Sequence, residues 1–190
     1  MNCVDYLNDV AGCTNRLRDQ AEVIDLIVDK LRMAKEDGLK VFICGNGGSA
    51  GTAIHMAADL FKMAGLKAIS LDDNVPLMTA IINDDGWENL YLNQLKRLYS
   101  KGDILIALSV HGGSGEDKAG AWSQNLNKAI DYVNRRGGTT IGFAGFDGGV
   151  MKEICDRCVV IDSNSTPIVE SFHVVLHHYI AFALQEGDRK

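Results

Sequence analysis

The sequence predicts an α/β fold, a doubly wound parallel sheet with helices on both faces and a helical N-terminal extension. Three observations carry that expectation. From Lys40 onward, short apolar runs bounded by glycine or serine recur: "KVFICG", "DILIALS", "TTIGFAG" and "CVVIDS". Stretches with helical spacing separate them, and strands alternating with helices build a parallel sheet covered on both sides. The residues before Lys40 hold no such run and read as helix.

In chain order, the extension (residues 1–38) contains "VIDLIVDKLRMAKEDG", which sets Val23, Ile24, Ile27, Val28 and Leu31 on one stripe and stops at Gly38. Being long and amphipathic, it is expected at a subunit interface. "KVFICG" then leads into the helical stretch "SAGTAIHMAADLFKMAG", and "KAISL" supplies a short further strand. "GWENLYLNQLKRLYS" precedes "DILIALS", and "WSQNLNKAIDYVNRRGG" precedes "TTIGFAG". After "CVVIDS" the chain closes with "TPIVESFHVVLHHYIAFALQEG", a largely apolar helix with Pro167 near its start. No repeat or linker-like break interrupts residues 1–190, so one domain is expected.

A chain of 190 residues can bury a substantial core without disulfides or structural metals. Its 46% hydrophobic and 23% charged residues are ordinary for a globular protein. The net charge of -6 gives no electrostatic footprint for nucleic acid or anionic lipid, and neither is expected as a partner. "MNCVDYLNDV" lacks the basic head and apolar core of a secretory signal, and no apolar run approaches the roughly 20 residues that span a bilayer. A cytoplasmic location is expected. The 5 cysteines are odd in number and scattered, which argues against a disulfide scaffold. Cys155 and Cys158 form a CxxC with no second pair to complete a zinc site, and they lead into a strand rather than a helix. They read as small, half-buried residues.

In a sheet of this kind ligands bind at the carboxyl ends of the strands. Two strand ends carry chemistry. After "VFIC", the run "GNGGSA" brings backbone close at Gly45, Gly47 and Gly48, and Ser49 falls where a helix N-cap would sit, so free amides should face the crevice. The loop is not a Walker loop. It fits the looser GxGxxA dinucleotide form, with Asp72 after a second strand as the ribose partner, but this signal is weak and no nucleotide cofactor is expected. After "LIAL", "SVHGGSG" offers Ser109, His111 and Ser114 with two glycines. Hydroxyls and amides with little positive charge suit a phosphate monoester held by hydrogen bonds. Two such loops point to a sugar-phosphate or nucleotide crevice.

The pattern "GNGGSA…H…AADL", then "INDDG", a serine loop after a strand, and "S…T…E..H….H" on the last helix resembles the SIS family, and within it the phosphoheptose isomerases. The resemblance runs over most of the chain and is strongest at residues 41–60. It implies a homotetramer with active sites between subunits, zinc in the site (one Zn2+ per subunit), and interconversion of sedoheptulose 7-phosphate with a manno-heptose 7-phosphate. On the matching positions, Asn46 and Ser49 take the places of the loop asparagine and serine, Ser109 and Ser114 those of the first and last serines of a Ser-x-Ser-x-x-Ser phosphate loop. Asn83 and Asp84 match an "ND" pair near the substrate, and Thr166 a substrate-contacting threonine. His55, Asp59, Glu170 and His178 match the metal ligands, with Asp59 and His178 the catalytic pair. The sequence departs from the family at four places. His111 replaces the middle serine, "GEDKAGAWSQNL" looks inserted, Asp59 stands for a longer glutamate, and Glu170 for a neutral glutamine.

His55 and Asp59, at i and i+4, share a helix face with Cβ atoms about 5–6 Å apart, which presents an imidazole and a carboxylate to one cation. Their plain alternative is a helix-stabilising contact. All five histidines (55, 111, 173, 177, 178) lie on the segments expected to build the site. His173 reads as a core or interface residue. His177 and His178 point about 100° apart, so one of them is expected to face the pocket. Helical geometry places His177 nearer the face of Glu170, whereas the resemblance favours His178. Two imidazoles and two carboxylates suit zinc or a similar divalent ion. Aldose–ketose isomerisation needs a base at the C–H, an acid at the carbonyl and stabilisation of the enediolate. Asp59 is the expected base and His178 the acid. An isomerase for another phosphosugar, and a non-catalytic SIS module binding a phosphosugar or a protein, are the competing readings.

Overall fold

A computed structural model describes residues 2–113 and 123–187. Five strands, β1 (Lys40–Gly45), β2 (Lys67–Ser70), β3 (Ile104–Ser109), β4 (Thr139–Gly145) and β5 (Arg157–Ile161), form one parallel sheet in the order β2-β1-β3-β4-β5. Helices α1 (Cys3–Leu17) and α2 (Ala21–Glu36) precede it, and α3 (Gly48–Lys62) joins β1 to β2. Then come α4 (Val75–Asp85) and α5 (Leu90–Leu98), α6 (Gln124–Asn134) before β4, α7 (Met151–Ile154) before β5, and α8 (Thr166–Gly187) at the end.

Side chains alternate across each strand and feed two cores. Val41, Ile43, Ile106, Ile141, Phe143 and Val159 face α2, α3 and α8, meeting Ile27, Leu31, Met56, Leu60, Phe172 and Ile180. Phe42, Cys44, Leu105 and Ala107 face the other side, against Tyr91, Leu95, Ile130 and Val133 of α5 and α6. The two-sided burial explains why the strands read as continuous apolar runs. The stripe predicted on α2 is real. Ile24, Ile27, Val28 and Leu31 are buried, so α2 is part of the first core.

The β5 edge is covered by the turn between α1 and α2. The Gln20 amide pairs in both directions with Val160, donating to its carbonyl at 2.5 Å and accepting from its N–H at 2.9 Å. Arg16 adds an ion pair to Asp162 at 2.8 Å. A strand edge open to pairing with another chain is thereby closed.

Several local expectations change. Ser49 does not cap α3: the cap position is Gly47, at φ 59°, and Ser49 lies inside the first turn, buried. A tight turn dictates this, since a Cβ on Gly45 would fall 2.7 Å from Ser49 Cβ. Helix α4 is an element that the strand-and-helix pattern above does not include, although it carries local signals: the Asn74 side chain caps Leu77 N–H, and Pro76 lies in the first turn. Helix α8, at 22 residues and mean hydropathy 1.2, is long and apolar enough to cross a membrane by length and composition. Here it is a core helix: Ile168, Val169, Phe172, Leu176, Ile180 and Leu184 are buried in the first core. Cys155 and Cys158 sit over Gly142, whose missing Cβ would lie 3.1 and 3.0 Å from their sulfurs. Burial pushes the Cys158 thiol up to about 11 and raises Cys155 further, which keeps both as thiols.

Candidate active site

The sheet order reverses direction between β1 and β3, and the loops leaving these two strands are the two singled out from the sequence. In an open parallel sheet this switch point is where a crevice opens for ligands.

The first loop is held from beneath by a buried carboxylate. Asp72 accepts from Gly45 N–H at 3.0 Å through Oδ2, and from the Tyr91 hydroxyl at 2.8 Å through Oδ1. The Gly45 carbonyl also lies against the Tyr91 hydroxyl. Burial raises Asp72 to about 6, against the lowering effect of these two hydrogen bonds. Both carboxylate oxygens are thus engaged within the chain, in place of the ribose contact that the dinucleotide pattern would require. Asn46 is engaged too. Its amide exchanges hydrogen bonds with Asn125, Asn46 Nδ2 to Oδ1 at 3.1 Å and Asn125 Nδ2 back at 2.8 Å, tying the loop to α6.

The second loop folds on itself. Ser109, buried, accepts from Gly113 N–H at 3.1 Å, which leaves its hydroxyl hydrogen available to donate. Gly112 N–H turns inward to the Ser109 carbonyl at 3.3 Å. Gly112 itself, at φ 60°, presses on the Gly148 carbonyl, and Met151 N–H donates to the Gly112 carbonyl at 2.8 Å. His111 lies against Phe146 with ring centroids 4.3 Å apart. Ser114 falls outside the described residues, as do residues 115–122 of the expected insertion.

Helices α3 and α8 pass side by side and bring together the chemistry expected of them. His55 Nε2 is 3.4 Å and His178 Nε2 3.7 Å from Asp59 Oδ2. A third imidazole joins them. His177 Nε2 lies 3.3 Å from the same oxygen, and its ring is 4.6 Å from His55 and 4.1 Å from His178. This corrects the expectation that only one of the adjacent pair faces the site. Asp59 sits between them, so rings about 100° apart on α8 approach it from two sides. His177 is fully buried, and among the described residues its ring nitrogens have no partner closer than the 3.3 Å approach of Nε2 to Asp59 Oδ2. Burial, then the neighbouring His178 and His55, hold His177 below the usual histidine range, with Asp59 pulling the other way. The ligand atoms of His55, Asp59, His177 and His178 lie within 4.8 Å of one another. Imidazole and carboxylate donors converging in this way fit a divalent metal ion such as zinc.

Other expected residues stand apart. Glu170 does not join this cluster. Its carboxylate rests on Gly48, where a Cβ would fall 2.8 Å from Glu170 Cδ. Asn83 and Asp84 pair with each other at 2.7 Å on the exposed side of α4, and Thr166 opens α8 in solvent. His173 is a core residue, fully buried, with Nε2 3.4 Å from the Ala144 carbonyl; burial lowers it to about 4.

Comparison with known proteins identifies the family. The SIS domain family matches residues 5–145. The phosphoheptose isomerase of a Nitratiruptor species is 39% identical over 153 residues, covering 78% of this chain and 77% of that protein. That of Rhodospirillum rubrum is 32% identical over 187 residues, covering 96% and 95%. A phosphoheptose isomerase structure from Francisella tularensis superposes with a TM-score of 0.86 over all of both chains at 22% identity, which shows the shared fold. With its sheet order, switch-point loops and near-complete overlap with such relatives, this chain belongs to the SIS-domain family, among its phosphoheptose isomerases, and is an isomerase.

Proposed function

We propose that this isomerase interconverts sedoheptulose 7-phosphate and D-glycero-D-manno-heptose 7-phosphate by acid–base catalysis. The observation that carries the reading is the pairing of Asp59 with His178 across α3 and α8, Asp59 standing on the helix that leaves the first switch-point loop. All three imidazoles approach Oδ2 of Asp59, which leaves Oδ1 to take the proton from the carbon next to the carbonyl and to deliver it to the former carbonyl carbon. His178, half-exposed, uses Nδ1 to give a proton to the carbonyl oxygen and take one back from the neighbouring hydroxyl, its Nε2 being turned toward Asp59. The Ser109 hydroxyl, with His111 and Ser114, holds the phosphate at the far end of the sugar, so that its binding energy aligns the reacting carbons, while Gly47, Gly48 and Ser49 shape the facing wall of the crevice. Asn46 keeps the first loop in place for this, and Asn83, Asp84 and Thr166, exposed and apart from the cluster, are assigned to the sugar by the family pattern they match.

Zinc, one ion per subunit, is held by His55, Asp59 and His178 with a further donor from α8. When bound, it supplies Lewis-acid polarisation of the sugar's carbonyl and hydroxyl oxygens. The chain works as a cytoplasmic homotetramer, with α1 at a subunit interface. Exposed apolar side chains support that assembly: Ile54 and Phe61 on α3, Val175, Tyr179 and Phe182 on α8, and, elsewhere, Val4 and Leu7 on α1.

The test is turnover of sedoheptulose 7-phosphate by the purified chain, with Asp59→Asn beside it. Formation of the manno-heptose 7-phosphate by wild type alone, with substrate still bound by the variant, supports the reading. Binding without turnover by wild type would instead make the chain a non-catalytic phosphosugar module.

A further inference from the structure

The structure assigns His177 as a ligand of the metal site, completing a donor set of three imidazoles and the Asp59 carboxylate in which Glu170 takes no part. The inference rests on the metal-assisted reading above and specifies which side chains hold the ion.

Three observations carry it. The first is spacing. Ligands about 2.0–2.1 Å from a tetrahedral ion are separated from one another by about 3.3–3.4 Å. The Asp59 Oδ2 to Nε2 distances are 3.3 Å for His177, 3.4 Å for His55 and 3.7 Å for His178. His177 therefore meets the tetrahedral edge at least as well as the two histidines that the sequence pattern singles out.

The second is the state of the His177 ring. Among the described residues this fully buried imidazole has no partner at Nδ1 and, at Nε2, only the 3.3 Å approach to Asp59 Oδ2, whereas buried polar atoms almost always have well-formed hydrogen bonds. His173, equally buried on the same helix, at least has the Ala144 carbonyl beside it. Coordination through Nε2 gives His177 a well-formed partner on the side where it already faces Asp59.

The third is the position of Glu170. It lies seven residues before His177, about 10 Å along α8, and its carboxylate is seated on Gly48 at the start of α3. There it faces the positive end of the helix dipole. A side chain used in that way is not available to an ion at the level of His55 and Asp59. It also places a negative charge at the α3 N-terminus, which leaves the Ser109 loop as the more favourable seat for a phosphate.

The experiment uses the full-length chain without a histidine tag, stripped with a chelator and titrated with Zn2+ and with Co2+. His177→Phe keeps a ring in the buried space without a donor, and Glu170→Ala removes the competing carboxylate. We expect X-ray absorption of the zinc-loaded wild type to count three imidazoles. We also expect His177→Phe to bind Zn2+ about 100-fold more weakly or worse and to lose the intense visible bands of four-coordinate Co2+, with Glu170→Ala retaining both. Two imidazoles in wild type, or a Glu170→Ala chain that loses the metal while His177→Phe keeps it, would overturn the assignment and leave the metal-assisted isomerase standing. A wild type that takes up no metal would overturn the assignment and the zinc reading together, and its turnover of sedoheptulose 7-phosphate would then show whether isomerase chemistry survives without an ion. Should His177→Phe not fold, the imidazole count in wild type decides alone.

Discussion

Asp59 is the residue on which three histidines converge, and its replacement is the most informative single change. Asp59→Asn keeps the size of the side chain and removes the base. The expected outcome is a loss of kcat by about 10²–10⁴-fold, checked by steady-state assay. His173 tests a different property, the cost of burying a neutral imidazole. The unfolded chain binds a proton there below about 6.5 and the folded chain only near 4. The contribution is therefore present above pH 6.5 and is lost as pH falls toward 4, by up to roughly 3 kcal/mol. His173→Phe should lose less stability than wild type between pH 7 and pH 4 in urea unfolding. Equal losses would show that His173 does not contribute. At this scale the His55–Asp59 spacing was legible, because i and i+4 on one helix face need no tertiary information. The partners from α8 were not. Adjacent His177 and His178 can be ranked only once it is known that Asp59 lies between them.

The glycine loops belong to the scale of elements, and each is a backbone device. Gly112 combines a positive φ with direct contact on the Gly148 carbonyl. Gly112→Ala is expected to lower stability by roughly 1–3 kcal/mol and to raise KM for the phosphosugar more than it lowers kcat, since it disturbs the Ser109 loop. Gly48→Ala should displace Glu170 from the start of α3, and thermal unfolding would read the cost. Asp72 holds the first loop through Gly45 and Tyr91. Its role was hidden in the sequence because the pairing crosses from the end of β2 to α5 and back to β1. Helix α4, by contrast, carries its own cap and proline and is readable locally. The cap of α3 lies two residues before the serine that residue preference favours, because a glycine-rich turn fixes it through sterics that no such preference records.

At the scale of the whole molecule, alternation of apolar runs and helical stretches made the parallel sheet readable, while the order β2-β1-β3-β4-β5 came from long-range pairing. That order sets the two loops on either side of the switch point. The same fold leaves Phe61 at 66% and Val175 at 55% exposure on the helices that carry the site. If the chain assembles as proposed, Phe61→Asp and Val175→Asp are expected to give smaller species than wild type in sedimentation velocity, with lower activity. A monomeric wild type with full activity would place the whole site within one chain.

The most direct measurement is conversion of sedoheptulose 7-phosphate in deuterium oxide, followed by NMR of the recovered sugar, for wild type and Asp59→Asn. The expected result is the manno-heptose 7-phosphate with deuterium at C2 from wild type, and neither conversion nor exchange from the variant. No exchange from wild type, or equal exchange from both proteins, would contradict a base at Asp59.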